Sequence, residues 1–222
     1  MAPRLVIFDC DGVLVDSETI SARVLAGALT AVGLTTSADD ALERYKGAHL
    51  RELAEDAQQR LGRPLPEGFL AAFERDRARE FRRSLRAIDG AAETVRAVTD
   101  AGLGVCVASQ GRIEKTELTL GLTGLRPLFG EHALFSSYSV TRGKPYPDLY
   151  LYAAEQMRTD PADCVVVEDS AIGITAGISA GMRVFGYAAD NGNGNSDGGS
   201  APGDARAELL RSLPELCGRL GL

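Results

Sequence analysis

The sequence is poor in the residues that build most metal and thiol sites. Its 222 residues include only two histidines, His49 and His132, which are too isolated to indicate a metal site or a catalytic triad. The four cysteines show no C-x-x-C spacing and stand at Cys10, Cys106, Cys164 and Cys217. Because three of them lie inside or beside apolar runs, we expect reduced thiols, with no disulfide and no zinc.

Long apolar runs and a surplus of basic residues are missing as well. No apolar stretch approaches the roughly 20 residues of a transmembrane helix, and the N-terminus lacks the regions of a signal peptide, so we expect a cytoplasmic protein without membrane contacts. The 24 basic and 31 acidic residues give a net charge of -7, and the basic ones are scattered. This pattern argues against nucleic-acid binding; we expect a monomer whose partners are small molecules or cations.

Four short apolar runs predict buried strands, and each run ends in polar residues. They are residues 5–8 before Asp9, 104–108 before Ser109, 133–135 before Ser136, and 164–167 before Glu168 and Asp169. Helical stretches lie between them, at 91–101, 113–120, 147–157 and 171–180. The alternation predicts an α/β fold with a doubly wound parallel sheet. Ligands bind beyond the carboxyl ends of such strands, so Asp9, Ser109 and Asp169 should lie together.

The alternation stops between residues 16 and 88, where the periodicity predicts three amphipathic helices, at 17–31, 49–61 and 67–85. We therefore predict a core of residues 1–15 and 89–222, with an all-helical cap of residues 16–88 inserted after the first strand. An insert at this point would lie above the crevice, as a lid does. The Gly/Asn-rich segment 190–204 predicts a flexible loop without a nucleotide-binding role, followed by a helix from about Ala205.

The motif Asp9-Cys10-Asp11 is the most informative one. Residues two apart in an extended chain point to the same side, so its two carboxylates can converge. Carboxylates this close repel, so the site needs a cation, or one of them becomes protonated. Asp169 can add an oxygen ligand, and hard oxygen donors favour Mg²⁺. With Mg²⁺, Asp9 can attack phosphorus as a nucleophile while Asp11 acts as general acid and base.

Phosphoryl transfer also requires hydrogen-bond donors and fixed positive charge. Ser109, with the backbone N–H groups of Gln110 and Gly111 near a helix start, predicts a corner that binds phosphoryl oxygens. Lys144 lies in a stiff Gly-Lys-Pro segment and can place its charge on both the phosphate and Asp9.

Each of these signals has a plainer explanation when taken alone. An Asp-x-Asp pair is more often a solvated loop, a serine after a strand is more often a helix cap, and Lys-Pro is more often a surface turn. Their shared placement at predicted strand ends favours a catalytic site. A receiver module that is phosphorylated on an aspartate is less consistent with the large helical insert. A binding protein with an inactive site is less consistent with the complete set of chemical groups.

Taken together, the motifs resemble those of the haloacid dehalogenase superfamily, in its branch of phosphatases and β-phosphoglucomutases. The four matching segments are residues 8–18, Ser109, residues 144–148, and residues 168–170 with Gly173 and Ile174. They occur in order along almost the whole chain.

This resemblance implies a Rossmann-like core with an inserted helical cap. It implies Asp9 as the phosphorylated nucleophile and Asp11 as the acid and base. It also implies Mg²⁺ held by Asp9, the backbone carbonyl of Asp11 and Asp169, with Glu168 acting from outside the direct ligands or through water.

The resemblance also bears on the substrate. Lys46-Gly47 is similar to a substrate-loop pair of this branch, and we predict that Lys46 and Arg51 contact the substrate. Mutases of the branch carry a basic residue where this chain has Leu50 and a histidine where it has Ser21, and they need two phosphate sites. A phosphatase is therefore favoured, with a β-phosphoglucomutase-type mutase as the alternative. The motifs are most similar to those of phosphatases that act on 6-phosphogluconate, which implies a small sugar or sugar-acid phosphate.

Overall fold

A computed structural model shows a six-stranded, fully parallel sheet with strand order β3-β2-β1-β4-β5-β6. The structure describes residues 3–188 and 204–222. The strands are β1 (Leu5–Phe8), β2 (Gly104–Ser109), β3 (Leu134–Ser136), β4 (Cys164–Glu168), β5 (Arg183–Tyr187) and β6 (Glu208–Leu210). With its flanking helices this is the predicted Rossmann-like α/β class, which is confirmed.

The helices follow the strands along the chain. They are α1 (Glu18–Ala31), α2 (Ala38–Tyr45), α3 (Leu50–Leu61), α4 (Phe69–Ser84), α5 (Ala91–Asp100), α6 (Ile113–Leu122), α7 (Asp148–Gln156), α8 (Ala171–Ser179) and α9 (Glu215–Leu220). Across residues 3–188 and 204–222, none of the helices has the length and apolar character needed to cross a bilayer.

The central strands are apolar up to their carboxyl ends because helices cover the sheet. Every residue of β1 is buried, and so is every residue of β4. The register places Phe8, the last residue of β1, beside Val107 of β2 and Val167 of β4. The residues that follow these three strands therefore emerge at one edge of the sheet.

The chain divides into two compact units. The core unit comprises the described residues up to Val15 and from Ala87 onward, and the helical unit comprises Asp16–Arg86. The helical unit has its own apolar core, in which α1 packs against α2 and α4 and which includes Leu25, Leu29, Ala57 and Phe73.

Helix α2 was not predicted from the sequence. Its apolar residues Ala38, Ala41, Leu42 and Tyr45 recur at helical spacing, but with eight residues it is shorter than the windows on which such a prediction rests. A capping box fixes its start: the Asp40 N–H donates to the Ser37 hydroxyl at 3.0 Å, and the Ser37 N–H donates to the Asp40 carboxylate at 3.2 Å.

The C-terminal part of the sequence prediction was wrong in detail. Residues 208–210, which fall within the helix predicted from about Ala205, form strand β6, and α9 begins only at Glu215. Strands β5 and β6 escaped prediction because β5 starts with an exposed Arg183 and β6 has three residues, of which only Leu210 is buried. The predicted loop at 190–204 lies, apart from Asp204, outside the described residues.

Candidate active site

The loop after β1 begins the candidate site. The Asp9 N–H donates to the Val167 carbonyl at 2.9 Å, which ties the start of this loop to β4. The chain then turns at Gly12, which has a φ of +74°, and the Gly12 N–H donates to the Val15 carbonyl at 2.9 Å. A Cβ atom at residue 12 would overlap the Asp169 carboxylate. Glycine therefore permits both the turn and the close approach of Asp169.

Three buried carboxylates meet at this edge of the sheet. Asp9, Glu168 and Asp169 each place an oxygen within 4.8 Å of the other two. Asp9 follows β1, Glu168 ends β4, and Asp169 comes next, as the strand-end pattern predicts. All-oxygen donors at this spacing fit a hard divalent cation. Glu168 lies within this cluster, and its predicted role outside the direct metal ligands stays a prediction.

Lys144 lies between two of these carboxylates. Its ammonium donates to Asp9 Oδ1 at 2.5 Å and to Glu168 Oε2 at 2.6 Å, and its side chain is only 2% exposed. Burial alone would lower the pKa of this ammonium, but the two carboxylates outweigh burial and hold the Lys144 pKa well above its usual range. Lys144 is therefore a permanent cation of the site.

The two carboxylates respond differently to this environment. Burial raises the pKa of Asp9; the Lys144 ammonium opposes that rise, and the charges of Glu168 and Asp11 add to it. Burial would also raise the pKa of Glu168, but the Lys144 ammonium outweighs burial, so the Glu168 pKa is lowered. Of these two carboxylates, Asp9 is the one that burial shifts towards its protonated form, and additional positive charge nearby would favour its ionised form.

Glu168 is fixed by hydrogen bonds to both of its oxygens. The Tyr150 hydroxyl donates to Oε2 at 2.8 Å. Oε1 accepts from the Asp169 N–H at 3.0 Å, the Ser170 N–H at 3.1 Å and the Ser170 hydroxyl at 2.9 Å. Because Ser170 caps the start of α8, Glu168 connects Lys144 to this helix.

Asp11 is held by a different cation. Lys115, in the first turn of α6, donates its ammonium to Asp11 Oδ1. The Asp11 side chain is 28% exposed, so it is more accessible than the three clustered carboxylates.

The last residue of β2, Ser109, and the loop that follows it also lie at this edge of the sheet. Ser109 is buried, and its Oγ accepts from the Gly111 N–H at 3.1 Å, so this N–H of the predicted phosphate corner has an internal partner. The Gln110 side chain makes two hydrogen bonds with the backbone of Lys144: its Oε1 accepts from the N–H at 3.1 Å, and its Nε2 donates to the carbonyl at 3.3 Å. Gln110 therefore connects the Ser109 loop to the Lys144 segment.

Lys46 and Arg51, the predicted substrate contacts, belong to the helical unit. The Lys46 ammonium lies 3.2 Å from Glu18 Oε2, and Arg51 Nε lies 3.7 Å from Glu55 Oε1. Their contact with a substrate stays a prediction.

All four cysteines are free thiols. Cys10 lies between the two aspartates in sequence, but it is buried and its Sγ lies 3.6 Å from Thr119 Oγ1. Burial raises the pKa of its thiol to about 12, which leaves it un-ionised at neutral pH.

Sequence reasoning missed two residues of this arrangement, Lys115 and Tyr150. Neither stands at a strand end; Tyr150 is a fully buried residue of α7, and Lys115 is one polar residue among several on α6. The one available signal was a basic residue in the first helical turn after Ser109.

The chain belongs to the haloacid dehalogenase-like hydrolases, because residues 3–181 match that family. The 6-phosphogluconate phosphatase of Escherichia coli (strain K12) is 35% identical to it over 186 residues, which cover 83% of this chain and 82% of the relative.

Solved structures agree with this assignment. A HAD family hydrolase from Deinococcus radiodurans R1, solved with bound phosphate and sodium, has a TM-score of 0.75 and 34% identity, with 100% of this chain and 96% of that chain covered. A putative β-phosphoglucomutase from Thermotoga maritima has a TM-score of 0.74 and 25% identity, with 98% of each chain covered. The resemblance predicted from the motifs is confirmed: the chain is a hydrolase enzyme with phosphatases among its relatives.

Gly173 provides a test of this geometry, because a Cβ atom there would overlap the Glu168 carboxylate. We expect Gly173→Ala to displace Glu168 and, with it, Lys144. A displacement of about 1 Å can cost on the order of a hundredfold in rate, so phosphatase activity should fall by at least about tenfold. The control is Gly121→Ala on α6, where a Cβ atom meets nothing within 4 Å. Full activity of Gly173→Ala would mean that the position of Glu168 is unimportant.

Proposed function

We propose that this chain is a Mg²⁺-dependent phosphomonoesterase that hydrolyses a small sugar or sugar-acid phosphate through a phosphorylated Asp9. The observation that carries the proposal is the buried Lys144 ammonium, 2.5 Å from Asp9 and 2.6 Å from Glu168, within a cluster of three carboxylates. Such a cation orients Asp9 and favours its ionised form, which is the form that attacks phosphorus.

In the first half-reaction, an ionised oxygen of Asp9 attacks the phosphorus atom, and the bond from phosphorus to the sugar oxygen breaks. Protonated Asp11 gives its proton to that departing oxygen, so a neutral alcohol leaves. The Ser109 hydroxyl, the Gln110 backbone N–H and the Lys144 ammonium stabilise the negative charge on the phosphoryl oxygens.

In the second half-reaction, the ionised Asp11 takes a proton from a water molecule whose oxygen attacks phosphorus. The bond between phosphorus and the Asp9 oxygen breaks. Inorganic phosphate leaves, Asp9 is again a carboxylate, and Asp11 is again protonated.

The carboxylates of Asp9 and Asp169 and the backbone carbonyl of Asp11 are the groups that would hold Mg²⁺, with Glu168 acting from outside the direct ligands or through water. When bound, this cation supplies positive charge for the oxygens of the transferring phosphoryl group. The three clustered carboxylates carry more negative charge than Lys144 offsets, and buried charge of one sign favours binding of a cation.

Two cations of the helical unit and the named relatives support the proposed substrate class. The side chains of Lys46 and Arg51 are 34% and 83% exposed, and cations of this kind suit the anionic or hydroxylated end of a sugar acid. 6-Phosphogluconate is our candidate substrate because the relative named for it matches most of the chain.

A panel of phosphate esters tests this proposal, with free phosphate as the readout. The wild type should release phosphate from 6-phosphogluconate faster than from β-glucose 1-phosphate.

Asp9→Asn keeps the shape of the side chain but removes the attacking oxygen, so its rate should fall by at least about a thousandfold. Asp100→Asn, an exposed site at the end of α5, is the matched control and should retain activity. Near-normal turnover by Asp9→Asn would exclude the covalent scheme, and conversion of β-glucose 1-phosphate to an isomer without free phosphate would favour a mutase.

Metal removal tests the cofactor. Treatment with EDTA followed by buffer exchange should abolish phosphate release, and Mg²⁺ should restore it. Because a ligand that binds only the native state raises the free energy of unfolding, Mg²⁺ should also raise Tm in the wild type and less so in Asp169→Asn. Activity that survives chelation, together with an unchanged Tm, would contradict the metal assignment.

A further inference from the structure

Lysine is rare in this chain and is concentrated at candidate functional positions. Only three of the 24 basic residues are lysines: Lys46, Lys115 and Lys144. Lys144 contacts Asp9 and Glu168, and Lys46 is a predicted substrate contact. The exposed ion pairs elsewhere use arginine, as in Arg79 with Asp76. Lys115 is therefore the lysine without an assigned role.

The position of Lys115 connects the Ser109 loop to Asp11. Lys115 is the third residue of α6, and its ammonium donates to Asp11 Oδ1 across 104 positions of sequence. A Cβ atom on Gly111 would lie 3.2 Å from Lys115 Cδ. The aliphatic part of Lys115 thus packs along the bare backbone of Gly111, which guides the ammonium to Asp11.

This ion pair differs from those on the surface of the protein. The Lys115 side chain is 12% exposed, against 65% for Arg79 in its pair with Asp76. A pair shielded from solvent is screened less by salt and holds its geometry better than an exposed pair. The contact is therefore able to fix the orientation of Asp11.

The contact also divides the acidic groups into two sets. Lys144 is bound to Asp9 and Glu168, whereas Lys115 is bound to Asp11, whose side chain is outside the cluster of three carboxylates. Like charges at short range repel, so a cation on Asp11 allows it to stay near Asp9 without joining the cluster. The Lys115 contact therefore accounts for the position of Asp11 rather than for its protonation.

We propose that Lys115 is a positioning residue, which holds the Asp11 carboxylate where it can exchange a proton with the departing oxygen and then with water. The inference rests on the proposed function, and in particular on Asp11 as acid and base. Lys115 itself transfers no proton and forms no bond to phosphorus.

The test compares two substrates of similar shape that differ in their leaving groups, phenyl phosphate and p-nitrophenyl phosphate. The p-nitrophenolate ion leaves without a proton, whereas phenolate gains more from an acid. Lys115→Met keeps the length of the side chain but loses the ammonium. We expect kcat/KM to fall by about tenfold or more for phenyl phosphate, since general acid catalysis contributes about 10²–10⁴-fold, and by less than about threefold for p-nitrophenyl phosphate.

A double-mutant cycle with Asp11→Asn isolates the pair. If Lys115 acts through Asp11, adding Lys115→Met to Asp11→Asn should change kcat/KM for phenyl phosphate by less than about twofold. Arg96→Met, which removes an exposed cation from α5, is the control and should leave both substrates unaffected. Circular dichroism and Tm establish that each variant is folded, and Lys115→Gln replaces Lys115→Met if that variant is not.

Equal losses on both substrates, or additive losses in the cycle, would overturn the inference, because Lys115 would then act on the phosphate or on the fold. If Asp11→Asn shows the loss that depends on the leaving group and the Lys115 variants do not, only the role of Lys115 is wrong. If Asp11→Asn shows no such loss, the proposed role of Asp11 fails and the role of Lys115 fails with it.

Discussion

The buried ammonium of Lys144 is the interaction on which the rest of the site depends. Three carboxylates within 4.8 Å of one another, all buried, repel strongly, and burial of unpaired charge costs several kcal/mol per ion. Lys144 offsets part of this cost through Asp9 and Glu168, and Glu168 is fixed in turn by Tyr150 and the start of α8. Lys144 therefore has two effects. Its ammonium reduces the repulsion within the carboxylate cluster, and it orients Asp9, the proposed nucleophile.

The parallel sheet makes this contact possible. Asp9 and Lys144 are 135 positions apart in sequence, yet the β1 and β4 register brings Asp9 beside Glu168, with which it shares the ammonium. Small residues complete the arrangement, because Gly12 and Gly173 leave the space that the Asp169 and Glu168 carboxylates occupy. A second lysine, Lys115, binds Asp11. The result is one acidic edge with two cations: Lys144 is bound to Asp9 and Glu168, and Lys115 is bound to Asp11.

The strand-end pattern predicted much of this from sequence, because apolar runs that end in acidic residues mark both a strand and the sheet edge where ligands bind. It identified β1, β2, β3 and β4 and the meeting of Asp9, Glu168 and Asp169. It did not find β5 and β6, which are short and partly exposed, or α2, which has only eight residues. Nor did it find Lys115 and Tyr150, since pairings between helix side chains and distant loops leave no local pattern in the sequence.

The central claim is that Asp9 carries the phosphoryl group during turnover. The most direct measurement is rapid acid quenching of the wild type during hydrolysis of 6-phosphogluconate, followed by proteolysis and mass spectrometry of the peptides. The account predicts a phosphate on Asp9 that hydroxylamine removes, and no phosphorylated peptide from Asp9→Asn. Phosphate on another residue, or its absence from the wild type at every quench time while free phosphate accumulates, would contradict the account.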